Sequence, residues 1–313
     1  MTVLSLAGCS TTIDGVGTPV GMRYRGTLTS DDAAAKLAER DEIRRLDPCG
    51  MLDERAVNTL GRPLHFGIGI DLDRCVVRLD RATLTTPLNS VEVSMSVSLD
   101  FAGSRFQLGN RKASEIHSGD QCFVAVEYND RRALFYSGIA SGGADPCPAL
   151  RTVVAASAPL LDKPALRRNS TKIPKTKGAD VDLCAALDTA YPSGQAFYLT
   201  GLNPYECDFW LGDHQRDDSN RFTIQLFNAN KSLVGYVPAD ARKLQIAGVD
   251  AVEQSFQKNY CTIQAYIGAS QPISARDWEG KPDDRVEALK VSGRGCDKTR
   301  TLALAAVKTY QQN

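Results

Sequence analysis

The chain has 313 residues, of which 42% are hydrophobic and 24% are charged, a balance typical of a folded protein with a core. This length suits two domains better than one small domain. The 37 basic residues balance the 37 acidic residues, which argues against a nucleic-acid-binding protein and against a polybasic protein of membrane surfaces. No segment approaches the ~20 consecutive apolar residues of a transmembrane helix.

The first nine residues end in Leu6-Ala7-Gly8-Cys9, the pattern of a bacterial lipobox, in which the cysteine carries the lipid. The segment is too short for a complete signal peptide and has no basic residues ahead of its apolar stretch, so we expect the natural start to lie upstream. We predict that residues 1–9 are the end of a lipoprotein signal, with Cys9 as the lipid-attachment site. The alternative is a cytosolic protein in which these four residues occur by chance.

The cysteine pattern predicts a tandem repeat in an oxidising compartment. Setting Cys9 aside leaves an even number, eight, which suits disulfides. They form two sets of four that match in order and context, with a period of about 135 residues. The sets are Cys49, Cys75, Cys122 and Cys147, and Cys184, Cys207, Cys261 and Cys296. Structural zinc sites use close pairs such as Cys-x-x-Cys, but these cysteines lie more than 20 residues apart, which disfavours zinc.

Two segments precede the first domain. Residues 10–30 are rich in Thr, Gly and Ser and predict a flexible tether. Residues 31–45 are charged and rich in Ala and predict a short helix with a thin apolar face. Together, residues 10–45 are interpreted as tether and helix.

The first domain is assigned to residues 46–160. Asp47-Pro48-Cys49 predicts a helix start, because aspartate caps a helix and proline suits its first turn, and the helix should end before Gly61. Asp145-Pro146-Cys147 predicts a second helix that ends near Pro159. Alternating apolar residues and one hairpin turn predict strands between the helices. These strands are 73–79, 91–101, 122–128 and 133–139.

Residues 161–179 are basic, contain two prolines and predict an interdomain linker. A solvated linker is favoured over a patch for an anionic lipid or polymer, because no aromatic residues interleave with the charges. The second domain, 180–313, repeats the plan of the first. It is predicted to contain a helix at 182–190, strands at 205–211, 222–228 and 260–267, a short edge strand at 289–291, and a helix from Cys296 to near Tyr310.

The combination of a lipobox, a tether and cysteine-bearing helix starts resembles a group of actinobacterial lipoproteins of unknown function. The plan is similar to the extracellular sensor domain of the mycobacterial serine/threonine kinase PknH. Three motifs carry the resemblance, which covers residues 47–310 as two copies. They are Asp47-Pro48-Cys49, Asp145-Pro146-Cys147 and Asp182-Leu183-Cys184, the last departing from the pattern at its middle residue.

The resemblance implies an α+β fold of two tandem domains, each a twisted antiparallel sheet with helices packed on one face and stapled by disulfides. Four cysteines in each copy allow three connectivities. The resemblance and sequence proximity imply the pairs Cys49–Cys75, Cys122–Cys147, Cys184–Cys207 and Cys261–Cys296. It also implies binding of an envelope component, without saying which.

The sequence contains no recognised catalytic motif, and His65, His117 and His214 stand in no metal or nucleophile pattern. We therefore predict no catalytic residues, no metal ligands and no cofactor. Residues 213–218 could form a cation site, but they lack the glycine and ligand spacing of a calcium loop, which favours an exposed loop. Tyr205, Phe209 and Trp210 are interpreted as core residues rather than as the lining of a ligand pocket.

These observations predict a non-enzymatic lipoprotein on the outer face of the cell membrane. Its partners would be the membrane, through the lipid anchor, and an envelope protein or small-molecule ligand, with no nucleic acid. One alternative is an extracytoplasmic hydrolase of cell-wall material, which needs a clustered acid, base or nucleophile. Another is an assembly factor for a membrane complex, which needs a large exposed apolar patch. A groove between the copies would favour ligand binding.

Overall fold

The computed structural model describes residues 23–26, 28, 32–98, 103–192, 195–201, 203–212, 218–256, 259–277 and 280–313. Cys9 and most of the predicted tether lie outside the described residues, as do residues 213–217 and the last residues of the strand predicted at 91–101.

Five α-helices and fourteen β-strands form the described part of the chain. The helices are α1 (Ala33–Arg44), α2 (Glu54–Leu60), α3 (Cys147–Ser157), α4 (Ala186–Ala190) and α5 (Cys296–Gln312). The strands of the first half are β1 (Pro63–Ile68), β2 (Arg74–Leu79), β3 (Leu88–Ser98), β4 (Ser104–Leu108), β5 (Arg111–Ser118), β6 (Gln121–Asn129) and β7 (Arg132–Ala140). Those of the second half are β8 (Phe197–Leu199), β9 (Glu206–Leu211), β10 (Arg221–Asn230), β11 (Ala241–Ile246), β12 (Val249–Phe256), β13 (Tyr260–Ala265) and β14 (Arg285–Arg294).

The strands form two seven-stranded antiparallel sheets with the same topology. The first sheet has the order β1-β2-β3-β7-β6-β5-β4, and the second, read from β8, has the order β8-β9-β10-β14-β13-β12-β11. Helix α3 packs on β3, β6 and β7, and α5 packs on the equivalent strands β10, β13 and β14. The structure is therefore α+β and consists of two tandem domains, called the first copy and the second copy below.

The eight cysteines form four disulfides at equivalent positions of the two copies. Cys49–Cys75 and Cys184–Cys207 tie the first helical turn to the second strand of each sheet, with Cα atoms 4.9 and 5.2 Å apart. Cys122–Cys147 and Cys261–Cys296 tie the sixth strand to the start of the following helix, each with Cα atoms 5.2 Å apart. These are the pairs that the resemblance implies.

The Asp-x-Cys motifs share one local contact. In each, the aspartate Oδ1 accepts a hydrogen bond from the cysteine amide, at 2.9 Å for Asp47, 2.9 Å for Asp145 and 3.1 Å for Asp182. This bond satisfies an amide that has no partner within the first helical turn. The side chain of the middle residue plays no part in it, which explains why leucine replaces proline in the motif at Asp182.

Two predicted elements differ from the structure. The helix expected from Asp47 is split into a short turn, Cys49–Met51, and α2, which Asp53 caps by accepting the Ala56 amide. The short edge strand predicted at 289–291 was wrong, because these residues belong to the ten-residue strand β14, which pairs with both β10 and β13. Glu287 breaks the apolar alternation of β14, yet its carboxylate is buried and accepts hydrogen bonds from the Tyr310 hydroxyl and the Gly178 amide.

The predicted solvated linker at 161–179 instead packs closely on both copies. A Cβ atom on Gly50 of the first copy would lie 2.5 Å from the Cβ of Ala165, and one on Gly178 would lie 2.5 Å from Glu287 Oε1 of the second copy. Ile173 is buried as well. The segment therefore is a packed connection between the copies, although its basic composition is typical of a solvated linker.

Helix α1 is also more deeply packed than predicted. The thin apolar face expected for residues 31–45 includes Leu37 and Ile43, and both are buried in the core that is continuous through the two copies. The helix is therefore part of the folded body.

Candidate functional site

Helix α1 lies between the two copies, and its Glu39 and Glu42 contact the first copy. Arg132, fully buried in β7, donates from Nε to Glu39 at 3.1 Å and from Nη1 to the Met95 carbonyl at 2.6 Å. Tyr128 of β6 donates its hydroxyl to Glu42 at 3.2 Å. These contacts fix one face of α1 against the β6–β7 hairpin.

The neighbouring face of α1 carries arginines that reach the second copy. Arg40 is 2% exposed, and its Nη2 donates to the Glu206 carbonyl at 2.9 Å while Nη1 lies 3.2 Å from Cys184 Sγ. Arg44 donates from Nε to the Pro204 carbonyl at 3.2 Å. The helix thus bridges the copies, with Glu39 and Glu42 in contact with the first copy and Arg40 and Arg44 in contact with the second.

Asp182 is the carboxylate that these cations surround. Its Oδ2 accepts hydrogen bonds from the Tyr24 hydroxyl at 2.5 Å and from Arg25 at 2.8 Å, and its Oδ1 lies 3.9 Å from Arg44 Nη2. Burial by itself raises the pKa of Asp182, but Arg44, Arg40, the Tyr24 hydrogen bond and Arg25 together outweigh burial and lower the pKa to about 2. Asp182 is therefore an ionised anchor for α1.

The linker runs beside the end of α1 and pairs with it. Leu166 forms an antiparallel bridge with Leu46, and the Arg167 amide donates to the Arg45 carbonyl at 2.8 Å. This short pairing brings the basic residues of the linker next to those at the end of α1.

A cavity of about 820 Å³ lies between the end of α1 and the linker, and its lining residues all fall within 42–46 and 166–180. We call it the basic cavity. Five of its lining residues are cations, namely Arg44, Arg45, Arg167, Arg168 and Lys175, and two are acids, namely Glu42 and Asp180. Its apolar lining residues are Leu46, Leu166, Pro174 and Ala179. The cavity therefore combines a cationic surface with an apolar one.

Arg167 is the most deeply placed linker cation in this lining. It is 7% exposed, its Nη2 donates to the Leu72 carbonyl, and its guanidinium lies 5.3 Å from the centre of the Tyr205 ring. Its Nε and Nη1 are covered from water and have no hydrogen-bond partner among the described residues. The hydroxyl of Thr176, another lining residue, is in the same situation.

A second cavity of about 360 Å³ lies between the first sheet and residues 275–285 of the second copy, and His65 is part of its lining. His65 Nε2 lies 3.2 Å from the Ile68 carbonyl oxygen. Burial lowers the pKa of His65, and the nearby Arg78 and Arg285 lower it further. The imidazole is therefore neutral at pH 7 and adds no charge to this cavity.

The other residues considered for chemistry do not converge. His117 is exposed, and its Nε2 lies 2.9 Å from the Gly119 carbonyl oxygen. His214 lies outside the described residues. Within the described ranges, one group has metal-ligand proximity, Glu115 with Cys122 and Cys147, but the two cysteines are joined in a disulfide and cannot act as thiolate ligands.

The aromatic segment of β9 belongs mainly to the core, as predicted. Tyr205 and Phe209 are buried, and Phe209 stacks on Phe222 with ring centres 6.0 Å apart. Trp210 is half-buried, with the Arg221 guanidinium 5.0 Å from its ring centre. None of the three lines the basic cavity or the cavity beside His65.

Comparisons of the chain with protein-family models, curated proteins and solved structures found no match. Within the described part of the chain, no helix has the length and apolar character needed to cross a membrane. The function is therefore inferred from the residues of this chain and their contacts.

Sequence reasoning missed the basic cavity because its cations come from two segments that are far apart in the chain. Arg44 and Arg45 lie at the end of the short helix predicted at 31–45. Arg167, Arg168 and Lys175 lie in the linker, for which the sequence favours a solvated segment over a patch for an anion. The available signal was the clustering of unbalanced cations in a chain whose net charge is zero.

The buried carboxylate of Asp182 and its surrounding arginines predict a specific pH dependence of the free energy of unfolding. Asp182→Asn should destabilise the chain at pH 7, because it leaves buried arginines without their counter-charge. The folded pKa of Asp182 is lowered from 3.8 to about 2, so the wild-type advantage over Asn should be constant above pH 5 and shrink by about 2 kcal/mol as the pH falls toward 2.

Urea unfolding of both proteins across this pH range measures the difference. Asp145→Asn is the matched control, since Asp145 makes the same cap but is exposed, and it should be destabilised less at pH 7. A wild-type advantage that grows as the pH falls would contradict the assigned role of Asp182.

Proposed function

We propose that this protein is a non-enzymatic lipoprotein of the cell envelope that binds a ligand in the basic cavity between its two copies. The observation that carries the proposal is the cavity itself. Its volume of about 820 Å³ lies within the range of small-molecule sites, and it combines apolar walls with a few convergent polar groups.

Four disulfides support an extracytoplasmic location, because such bonds persist in oxidising compartments and are rare in the cytosol. An anchor on Cys9 is consistent with this location. The lipid would hold the folded body at the outer face of the membrane through the segment that precedes residue 23.

Binding fits the basic cavity better than catalysis does. Nucleophilic catalysis by a serine, threonine or cysteine needs a base beside the nucleophile. Among the described lining residues of the basic cavity there is no histidine, cysteine or serine, and Thr176 supplies the one side-chain hydroxyl. His65 and His117 each lie beside a main-chain carbonyl elsewhere in the structure.

An assembly surface has less support. The large apolar side chains that are most exposed among the described residues come from several elements, and one pair of them, Phe256 and Tyr260, has ring centres 6.4 Å apart. They are Ile70, Leu233, Tyr236, Phe256, Tyr260 and Leu304. A contiguous apolar patch would be the mark of an obligate partner.

The anchor is tested by Cys9→Ser. The variant should move from the membrane fraction to the soluble fraction, because it lacks the thiol that carries the lipid. Intact mass gives the second readout: the wild-type chain should carry a diacyl or triacyl addition, and the variant should not. Retention of the unlipidated variant in the membrane would contradict the anchor.

The binding site is tested by Thr176→Trp, which places a large side chain at the wall of the basic cavity. Native mass spectrometry of the wild-type protein, isolated gently from its own envelope, should show a bound small molecule, and the variant should lack it. Thr152→Trp, at an exposed position of α3, is the matched control and should retain the ligand. Equal occupancy in the two tryptophan variants would place the ligand elsewhere.

A further inference from the structure

We infer that the ligand of the basic cavity carries a phosphate group, bound by the cations of the linker and the end of α1. This inference rests on the proposed function and names the chemical class of the ligand.

The lining of the basic cavity carries a net positive charge. It has five cations and two acids, and one of the cations, Arg44, is paired with Asp41 outside the lining, which leaves an excess of two positive charges. A carboxylate offsets one of them, whereas a phosphate ester carries about −1.5 to −2 at neutral pH and offers three acceptor oxygens. A phosphate is therefore the better match in charge.

Most of the cations in the lining have no acidic partner among the described residues. Arg44 is paired with Asp41 at 3.2 Å, but Arg45, Arg168 and Lys175 form no ion pair with any described residue. Unpaired cations on an open surface are unremarkable because water solvates them. Here they share a concave lining, where like charges repel one another and an entering anion relieves that repulsion.

The charged ends of two unpaired lining cations are accessible to a ligand, because Arg168 and Lys175 are exposed. Phosphate oxygens are strong acceptors for guanidinium and ammonium groups. Arg167 differs from them. Its Nε and Nη1 are covered from water, its Nη2 donates to the Leu72 carbonyl, and its guanidinium lies over the Tyr205 ring, and neither of these two residues lines the cavity. A phosphate would therefore be bound by Arg168 and Lys175.

The size and the apolar side of the cavity indicate the nature of the rest of the ligand. The cavity is larger than a phosphate group needs, and Leu46, Leu166, Pro174 and Ala179 give it an apolar side. The phosphate would therefore belong to a larger molecule with an apolar part. That molecule is either a soluble phosphate ester or a lipid that offers its phosphate as a headgroup.

The experiment uses the full chain with Cys9→Ser, so that no lipid anchor inserts into the vesicles by itself. Calorimetric titration with inorganic phosphate, at ionic strength matched with chloride, measures binding of the shared chemical group. Co-sedimentation with phosphatidylglycerol vesicles, and with neutral phosphatidylcholine vesicles as the control, measures binding of the headgroup form. Phosphate binding alone indicates a soluble ester, and selective binding to phosphatidylglycerol indicates a lipid.

The decisive variant is Arg168→Gln/Lys175→Gln, which removes two exposed cations and should leave the fold intact. Its affinity for the phosphate probe should fall at least about tenfold, since charge-assisted contacts are the strong ones. Arg55→Gln/Arg131→Gln is the matched control, since it removes two exposed cations from α2 and the β6–β7 turn, and it should bind within about twofold of the parent.

The inference is overturned if neither phosphate nor phosphatidylglycerol binds, or if both double variants weaken binding equally, which would show only general charge attraction. Its failure is distinct from that of the proposed function. A native ligand that Thr176→Trp expels but that lacks phosphorus by mass would keep the site and reject the phosphate.

Discussion

The buried cluster around Asp182 is the interaction on which the arrangement of this protein depends. One carboxylate faces the arginines of α1 and of the segment before it, and these cations outweigh the effect of burial so that the carboxylate stays ionised. Buried ion pairs add little net stability, but removing one partner costs about 3–5 kcal/mol. The effect of such pairs is to favour one relative position of the segments that they join. Here they hold α1 against the second copy, and Arg44 belongs to both this cluster and the wall of the basic cavity.

The two copies share strand order, helix placement and disulfides. Two segments lie outside this repeat, namely α1 and the linker. Both pack between the copies and form the basic cavity. The positive charge of its cations exceeds the negative charge of its acidic lining residues. A site between domains can combine surfaces that no single domain supplies, which is why domain interfaces are common places for ligands.

The sequence predicted what depends on local pattern. The alternation of apolar and polar residues located β2, β3, β6 and β7, and the Asp-x-Cys motifs located three of the helical turns. Both predictions succeed because strand burial and helix capping depend on residues that are close together in the sequence. The outer strands β4 and β11 were missed since few of their residues are buried. The packing of α1 between the copies was missed because its contacts join distant positions: Glu39 meets Arg132, and Arg40 meets the carbonyl of Glu206. Charged residues paired over such separations look solvated in the sequence.

The central claim is that α1, the linker and both copies form one structural unit. The most direct measurement is differential scanning calorimetry of the oxidised full chain. A continuous core predicts one cooperative transition, with the calorimetric enthalpy equal to the van't Hoff enthalpy. Two separable transitions, one for each copy, would show a loose contact between independent domains, and would contradict the claim.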